Sequence, residues 1–261
     1  MRNYGSGNRG GGAVQSLLRG MEILELLARS EWGLSLQDVC EQTGLKPTTA
    51  HNLLRTLSMR GFVARDARPV RYRIGSALPE LVHLRSRRQF LRRAAEQLRQ
   101  LARRHLGGTF TLSEIAERQV VVALRLSADR PDRVSEPRGQ VLSPYTTACG
   151  LAYQAFAAPS AREEYRQAHP FWEHVGRLWE SPEMLESFLL QARRNGYVSV
   201  SFRGEHVFKA SAPVYGDGGE LVALLGGSRP AKGMARAEHE SYVQDLRSAA
   251  RRLSSDEPGE P

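Results

Sequence analysis

Cysteine is scarce in this chain of 261 residues: there are two, Cys40 and Cys149. Two thiols cannot build a disulfide scaffold, and neither lies in a C-x-x-C or Cys/His pattern of the kind that holds structural zinc. Long apolar runs are absent as well, which leaves no candidate membrane span and gives the expectation of a soluble chain with no membrane partner. The start, MRNYGSGNRGGG, lacks the apolar core of a signal peptide and reads as a flexible basic tail. His83, His105, His169, His174, His206 and His239 are scattered rather than set at metal-ligand spacing. No internal repeat is visible. A cytoplasmic protein without metal or cofactor is therefore expected.

What the chain does have is positive charge, and its placement matters more than its total of +9. Residues 1–95 hold 16 Lys+Arg against 7 Asp+Glu, and residues 96–261 hold 21 against 21. All of the excess lies in the first third, as in a basic nucleic-acid-binding segment attached to a neutral domain; a solvated basic surface with no partner is the bland alternative.

Within that third, SLQDVCEQTGLKPTTAHNLLRTLSMRGFV, residues 35–63, predicts two short helices joined by a tight turn. Leu36, Val39 and Cys40 share one face of the first, and Ser35 with Asp38 forms a capping pattern at its start. Gly44 supplies the turn, and Pro47 suits the first position of a new helix. Ala50, Leu53, Leu54 and Leu57 form the apolar stripe of the second, leaving Thr48, Thr49, Asn52 and Arg55 on the other side. A helix-turn-helix needs such a polar, hydrogen-bonding face to reach base edges and phosphates. Periodicity alone does not separate it from an ordinary helical hairpin.

The surroundings favour the DNA-binding reading. Upstream, Val14, Leu17, Leu18, Met21, Leu24 and Leu27 recur at helical spacing, enough to cover the two following helices. Downstream, FVARDARPVRYRIG reads as a short hairpin with its exposed face loaded with arginine. Three helices and a basic hairpin make a winged helix-turn-helix. Residues 78–106 read as helix: first a cluster of Arg85, Arg87, Arg88, Arg92 and Arg93, then Leu98, Leu101 and Leu106 as the start of a second domain.

From Thr109 the period changes to strands, TFTLSEI and QVVVALRL. A helix is expected over Tyr145–Ala158, then amphipathic helices in PSAREEYRQ and in SPEMLESFLLQARRNG, the latter closed by Asn195 and Gly196. His169 and Pro170 lie in a turn-like segment, and Trp172 with Trp179, at i and i+7, is read as a packing pair. YVSVSF, HVFKASAPVY and ELVALLGGS are strands, the last two joined by a strong hairpin signal at residues 216–219. A closing helix precedes an acidic tail. The expected fold class is α+β in two domains, the second an antiparallel sheet flanked by helices.

From Val14 to Leu253 the sequence resembles the IclR family of bacterial transcriptional regulators. The resemblance is carried, in order, by VQSLLRGMEILELLA, by the winged helix-turn-helix with GFVARD and RYRIG, by RRNGY, and by APVYGDGGELVALL. It implies a winged helix-turn-helix over 13–77, a linker helix over 78–95 and a GAF-like effector-binding and oligomerisation domain over 96–253; by composition, residues 1–12 are expected as a flexible basic tail and 254–261 as a disordered tail. It also implies a regulator with no catalytic activity, taken here as a repressor, whose partners are a double-stranded DNA operator, a small-molecule effector, and copies of itself in a homodimer or dimer of dimers. The recognition helix maps to Pro47–Arg60, so Thr48, Thr49, His51, Asn52 and Arg55 are the candidate DNA contacts. By chemistry Asn52 suits an adenine edge and Arg55 guanine or phosphate. Arg65, Arg68, Arg71 and Arg73 of the wing suit backbone or minor groove.

The effector half departs from the family pattern. Members often carry H-A-T-A-x-G-K where this chain has Tyr145, Thr146, Thr147, Ala148, Cys149, Gly150 and Leu151. A frequent Cys is Lys209, the usual acids are absent around residues 199–203, and of two serines common on the last core strand one is Gly226 and the other Ser228. Tyr145, Thr146, Thr147, Ala148, Cys149, Arg203, Lys209, Ser211 and Ser228 are the candidate effector residues. If Lys209 and Arg203 face a cavity, they favour an anionic effector such as a small carboxylate or aromatic acid. If they face solvent, the pocket is vestigial and the domain serves assembly.

Two other classes compete. Cys149 at a helix start could be a thiol of lowered pKa in an enzyme, although local spacing suggests no His or carboxylate partner. A basic architectural or RNA-binding protein would explain the charge, but not the second, cavity-forming domain.

Overall fold

The computed structural model describes residues 13–174, 179–201 and 206–254. The chain divides into two compact units between Arg88 and Gln89, inside the stretch expected to link them.

The first unit contains α1 (Gln15–Ala28), α2 (Leu36–Thr43), α3 (Pro47–Met59), β1 (Val63–Arg65) and β2 (Tyr72–Ile74). The boundaries follow from local chemistry. Ser35 Oγ accepts from the Asp38 N–H at 3.1 Å while Asp38 accepts from the Ser35 N–H at 2.8 Å, so two otherwise orphaned donors are satisfied at the start of α2. Gly44 ends α2 at φ 67°, a left-handed conformation natural to glycine, and Pro47 opens α3. The core is Ile23, Leu27, Val39, Ala50, Leu54, Val63 and Tyr72, each almost fully buried. β1 and β2 pair antiparallel with Val63 opposite Ile74 and Arg65 opposite Tyr72, and Leu34 adds a bridge to Tyr72.

One expectation for α1 does not hold. Its buried face is Gly20, Ile23 and Leu27, whereas Val14, Leu17, Leu18 and Met21 are 63, 58, 49 and 51% exposed within the chain. The apolar positions in α1 are too many for one contact face, and only the later set packs on α2 and α3.

α4 (Ala77–Arg104) is continuous and contributes residues to both units. Its first half is solvent-exposed, including Leu81, Val82 and Leu84; Ala94, Leu98, Leu101 and Ala102 of its second half are buried. Leu106 falls beyond the helix and is 78% exposed.

The second unit is built on one antiparallel sheet of six strands: β3 (Thr109–Ala116), β4 (Gln119–Leu126), β5 (Val134–Ser135), β6 (Val198–Val200), β7 (Val207–Tyr215) and β8 (Leu221–Pro230), in the order β5-β4-β3-β8-β7-β6. Between β5 and β6 run α5 (Ala148–Phe156), α6 (Pro159–Ala168), α7 (Phe171–His174) and α8 (Pro182–Asn195), and α9 (Arg236–Leu253) closes the unit. Strand alternation divides the side chains between two layers. Phe208, Ala210, Ala212 and Val214 of β7 pack with α4 and α9, among Leu98, Tyr242 and Leu246. On the other face Val198, Val200 and Leu224 pack with α5, α6 and α8, among Leu151, Tyr165 and Leu189. Lys209, Ser211 and Pro213 alternate with the first set and so belong to the α5 side. The helix expected from Tyr145 starts only at Ala148, because Thr147 takes the cap: its Oγ1 accepts from the Gly150 N–H at 3.1 Å. Trp172 and Trp179 do not pair. Trp172 is 75% exposed, while Trp179 is buried against Phe188 and donates to the Tyr145 carbonyl at 2.9 Å.

Candidate nucleic-acid interface and ligand cavity

The buried positions Ala50 and Leu54 fix which side of α3 is free. Thr48, His51, Asn52 and Arg55 are exposed and Thr49 is half-buried. Thr48, Asn52 and Arg55 stand at i, i+4 and i+7, on one face. The same face holds Thr56, whose hydroxyl turns back to the Asn52 carbonyl at 2.8 Å, and Met59. Lys46 precedes Pro47 without a side-chain cap, so first-turn N–H groups of α3 stay open to an anion such as a phosphate.

The wing arginines divide into two pairs. Arg73 makes a bidentate contact with Asp66 at 2.8 and 2.6 Å. The contact holds the Asp66 carboxyl below its ordinary pKa and raises that of Arg73. Arg71 donates to the Gly33 carbonyl at 2.8 Å, and Gly33, at φ 73°, has no room for a side chain because a Cβ would lie 2.8 Å from the Tyr72 carbonyl. Arg71 and Arg73 thus shape the hairpin, Arg73 while remaining exposed; Arg65 and Arg68 are exposed as well and make no ion pair among the described residues.

In the second unit a cavity of about 180 Å³ opens on the α5 side of the sheet. Of the expected effector residues, Thr147, Ala148, Cys149, Lys209 and Ser228 line it. Tyr145 does not. Its hydroxyl donates to the His169 carbonyl at 2.6 Å and its ring meets Phe171 edge-on, so the residue replacing the family's histidine anchors a loop. Thr146 is also outside the lining, and Ser211 is fully buried behind Cys149, 3.5 Å from its Sγ. Arg203 lies outside the described residues.

Thr109, Thr111, Arg125 and Gln140, to which no motif in the sequence points, complete the polar lining. Arg125 donates to Ser127 at 3.1 Å and to Gln140 at 3.5 Å, and no carboxylate lines the cavity among the described residues. A local signal does mark one of them: in QVVVALRL, Arg125 is the only charge in β4.

Gly226 and Cys149 fit one another. A Cβ at 226 would lie 2.5 Å from Cys149 Sγ and 2.9 Å from Thr111 Oγ1, so the thiol occupies the space a serine would need. Burial pushes the Cys149 thiol pKa up, against hydrogen bonds from Ser211, Ser113 and Thr111. A raised, buried thiol is the opposite of an activated nucleophile. Among the described residues no group of three His, Cys, Asp or Glu is placed to hold a metal. No helix among them is long and apolar enough to cross a membrane.

A winged helix-turn-helix with a polar α3 face exposed among the described residues, joined in one chain to a helix-flanked antiparallel sheet, is the architecture of a two-domain DNA-binding transcriptional regulator. The IclR helix-turn-helix domain matches residues 16–67, and the bacterial transcriptional regulator IclR C-terminal domain matches residues 82–255. The chain belongs to the IclR family, whose members are transcriptional regulators and not enzymes. It is 26% identical over 243 residues to the HTH-type transcriptional regulator XynR of Escherichia coli, covering 92% of this chain and 96% of XynR. The glycerol operon regulatory protein of Streptomyces coelicolor is 30% identical over 212 residues, covering 77 and 79%. An IclR homolog from Microbacterium hydrocarbonoxydans, solved in complex with 4-hydroxybenzoate, shares the fold with a TM-score of 0.52 at 23% identity, over 93% of this chain and 98% of that one.

Proposed function

We propose that this regulator binds a near-palindromic operator as a homodimer, or as a dimer of such dimers, and that a small carboxylate or one-ring aromatic acid in the cavity between Arg125 and Lys209 changes its affinity. The α3 face from Thr48 to Arg55 reads the bases, with Asn52 and Arg55 supplying the bidentate groups. His51 and the threonines meet phosphates or a thymine methyl, and Arg65 and Arg68 hold the backbone. The dimer is supported by Val14, Leu17, Leu18 and Met21, which repeat on one side of α1 and stay uncovered by the described residues, and by the exposed Leu81, Val82 and Leu84 of α4. A dimer seated on a promoter excludes other proteins from it, so repression is the default outcome of binding.

The observation that carries the effector reading is a cavity of about 180 Å³ with two cations and, among the described residues, no carboxylate in its lining. An apolar cavity of about 150 Å³ holds one benzene ring, so this volume suits a single ring or a short acid and is too small for a drug-sized ligand. The 4-hydroxybenzoate bound by the Microbacterium regulator is a molecule of this class. The continuous α4 is the covalent path between the units, and coupling of about 1–3 kcal/mol, roughly 5- to 150-fold in affinity, makes a useful switch.

The test begins with an operator selected from random duplexes. Short-chain and one-ring carboxylates are then added while DNA affinity is followed by fluorescence anisotropy. At least one is expected to shift the affinity about fivefold or more. If none shifts it, and none raises the unfolding midpoint of the second unit, the cavity is vestigial and only the DNA-reading role stands.

A further inference from the structure

A second cavity in the C-terminal unit shares no residue with the first. It is a cleft of about 880 Å³ at the end of the sheet where β7 finishes, between the last turns of α8 and α9. Four guanidinium groups border it: Arg193 from α8, and Arg247, Arg251 and Arg252 from α9. Among the described residues no Asp or Glu lines it, and none of the four arginines makes an ion pair with a carboxylate. The nearby acids are engaged elsewhere: Asp245 of α9 pairs with Arg104 and His105, and Glu186 of α8 with Arg166.

Arg193, Arg251 and Arg252 stand in the last turns of their helices, where a cation opposes the helix dipole. The dipole accounts neither for Arg247 nor for the direction Arg193 takes. Arg193 donates to the Ala155 carbonyl at 2.7 Å, which fixes its guanidinium at the cleft wall. Burial and the neighbouring Arg162 push it below its ordinary pKa, with Glu186 opposing. Arg247 lies 5.5 Å from the centroid of the Tyr197 ring, so it too is held rather than free to swing away. Four like charges gathered from two helices around one concavity repel one another, and a multiply charged anion turns that repulsion into binding. Phe156 and Tyr215 line the same cleft and offer an apolar surface beside the charges.

We infer that this cleft is a second ligand site, taking a small phosphorylated molecule with two or more negative charges through Arg193, Arg247, Arg251 and Arg252. It is independent of the acid pocket and far larger than a monocarboxylate needs. Because β7 carries both Lys209 of the first cavity and Tyr215 of the second, one strand touches both sites.

The test is isothermal titration of the full chain with inorganic tripolyphosphate and, separately, with ATP free of divalent metal, at about 0.15 M salt. Saturable binding of either at one per chain is expected, weakened about tenfold by Arg247→Gln and by Arg251→Gln. Arg251 is exposed, so its substitution leaves the fold intact. Arg133→Gln, on the exposed loop before β5, is expected to leave binding within twofold. Absence of saturable binding, or an equal loss in Arg133→Gln, overturns the inference.

Discussion

Replacing Gly226 by alanine adds one methyl group at the point where β8 passes beneath α5, and the cost follows from the geometry. The new carbon would stand 2.5 Å from Cys149 Sγ and 2.9 Å from Thr111 Oγ1, well inside ordinary van der Waals separation from sulfur at about 3.5–4 Å. The thiol cannot retreat easily. Cys149 is only 4% exposed, and α5 is pinned on its far side by Gly150, whose own Cβ would lie 2.2 Å from the Ser143 carbonyl. Overpacking of this kind costs about 1–3 kcal/mol. For a unit of this size that lowers the unfolding midpoint by roughly 2–4 °C per kcal/mol. Cys149→Ala alone is expected to cost about 1 kcal/mol through removal of the sulfur. In the double variant the methyl occupies the vacated space, so the two changes should be coupled favourably by about 1 kcal/mol or more. Scanning calorimetry of the four proteins reads this directly. A neutral Gly226→Ala, or destabilisations that simply add, would refute the claim that the thiol occupies the space a side chain at 226 would need.

Three further outcomes are expected. Ser35→Ala removes the cap of α2 and should destabilise the first unit by about 1 kcal/mol, measurable by urea unfolding, with the second unit unchanged. Asp66, held by Arg73, should titrate by NMR below an ordinary Asp. Because its folded pKa is depressed, the pair's stabilisation is complete above the unfolded value of about 3.9 and disappears as pH falls through the depressed one; Arg73→Gln should restore an ordinary titration. Arg125→Gln and Lys209→Gln should each weaken the response to an active acid about tenfold while leaving DNA affinity without the acid unchanged. Equal responses in all three proteins would place the acid elsewhere.

Where the fold is legible in the sequence, the signal is local. The Ser35 and Asp38 cap, Gly44, Pro47 and the Ala50/Leu54 stripe define the helix-turn-helix because each acts within a few residues of itself. Strand alternation likewise locates all the long strands. What local pattern leaves undecided shares a cause: it depends on partners far away in the chain. The stripe from Val14 to Met21 looks like core until Ile23 and Leu27 are seen to fill the available surface of α2 and α3. Arg71 and Arg73 look equivalent to Arg65 and Arg68 until Gly33 and Asp66 are placed beside them. The motif position of Tyr145 points to the pocket, whereas its hydroxyl reaches His169. Arg125 stands out as the only charge of β4, but its place in the cavity depends on the register of β4 against β3, and a bulge at Leu112/Ser113 shifts that register.

The division of labour between α3 and the wing is tested most directly by DNA affinity. Fluorescence anisotropy on a selected operator and on a scrambled duplex, across a salt series, compares Arg55→Ala with Arg68→Ala. Arg55→Ala should weaken operator binding by about 1–3 kcal/mol and relax base preference at one position per half-site. Arg68→Ala should weaken both duplexes alike and reduce the salt slope by about one unit for each phosphate it no longer neutralises. Equal weakening by the two substitutions on both duplexes, with base preference unchanged, would contradict the assignment of α3 as the element that reads sequence.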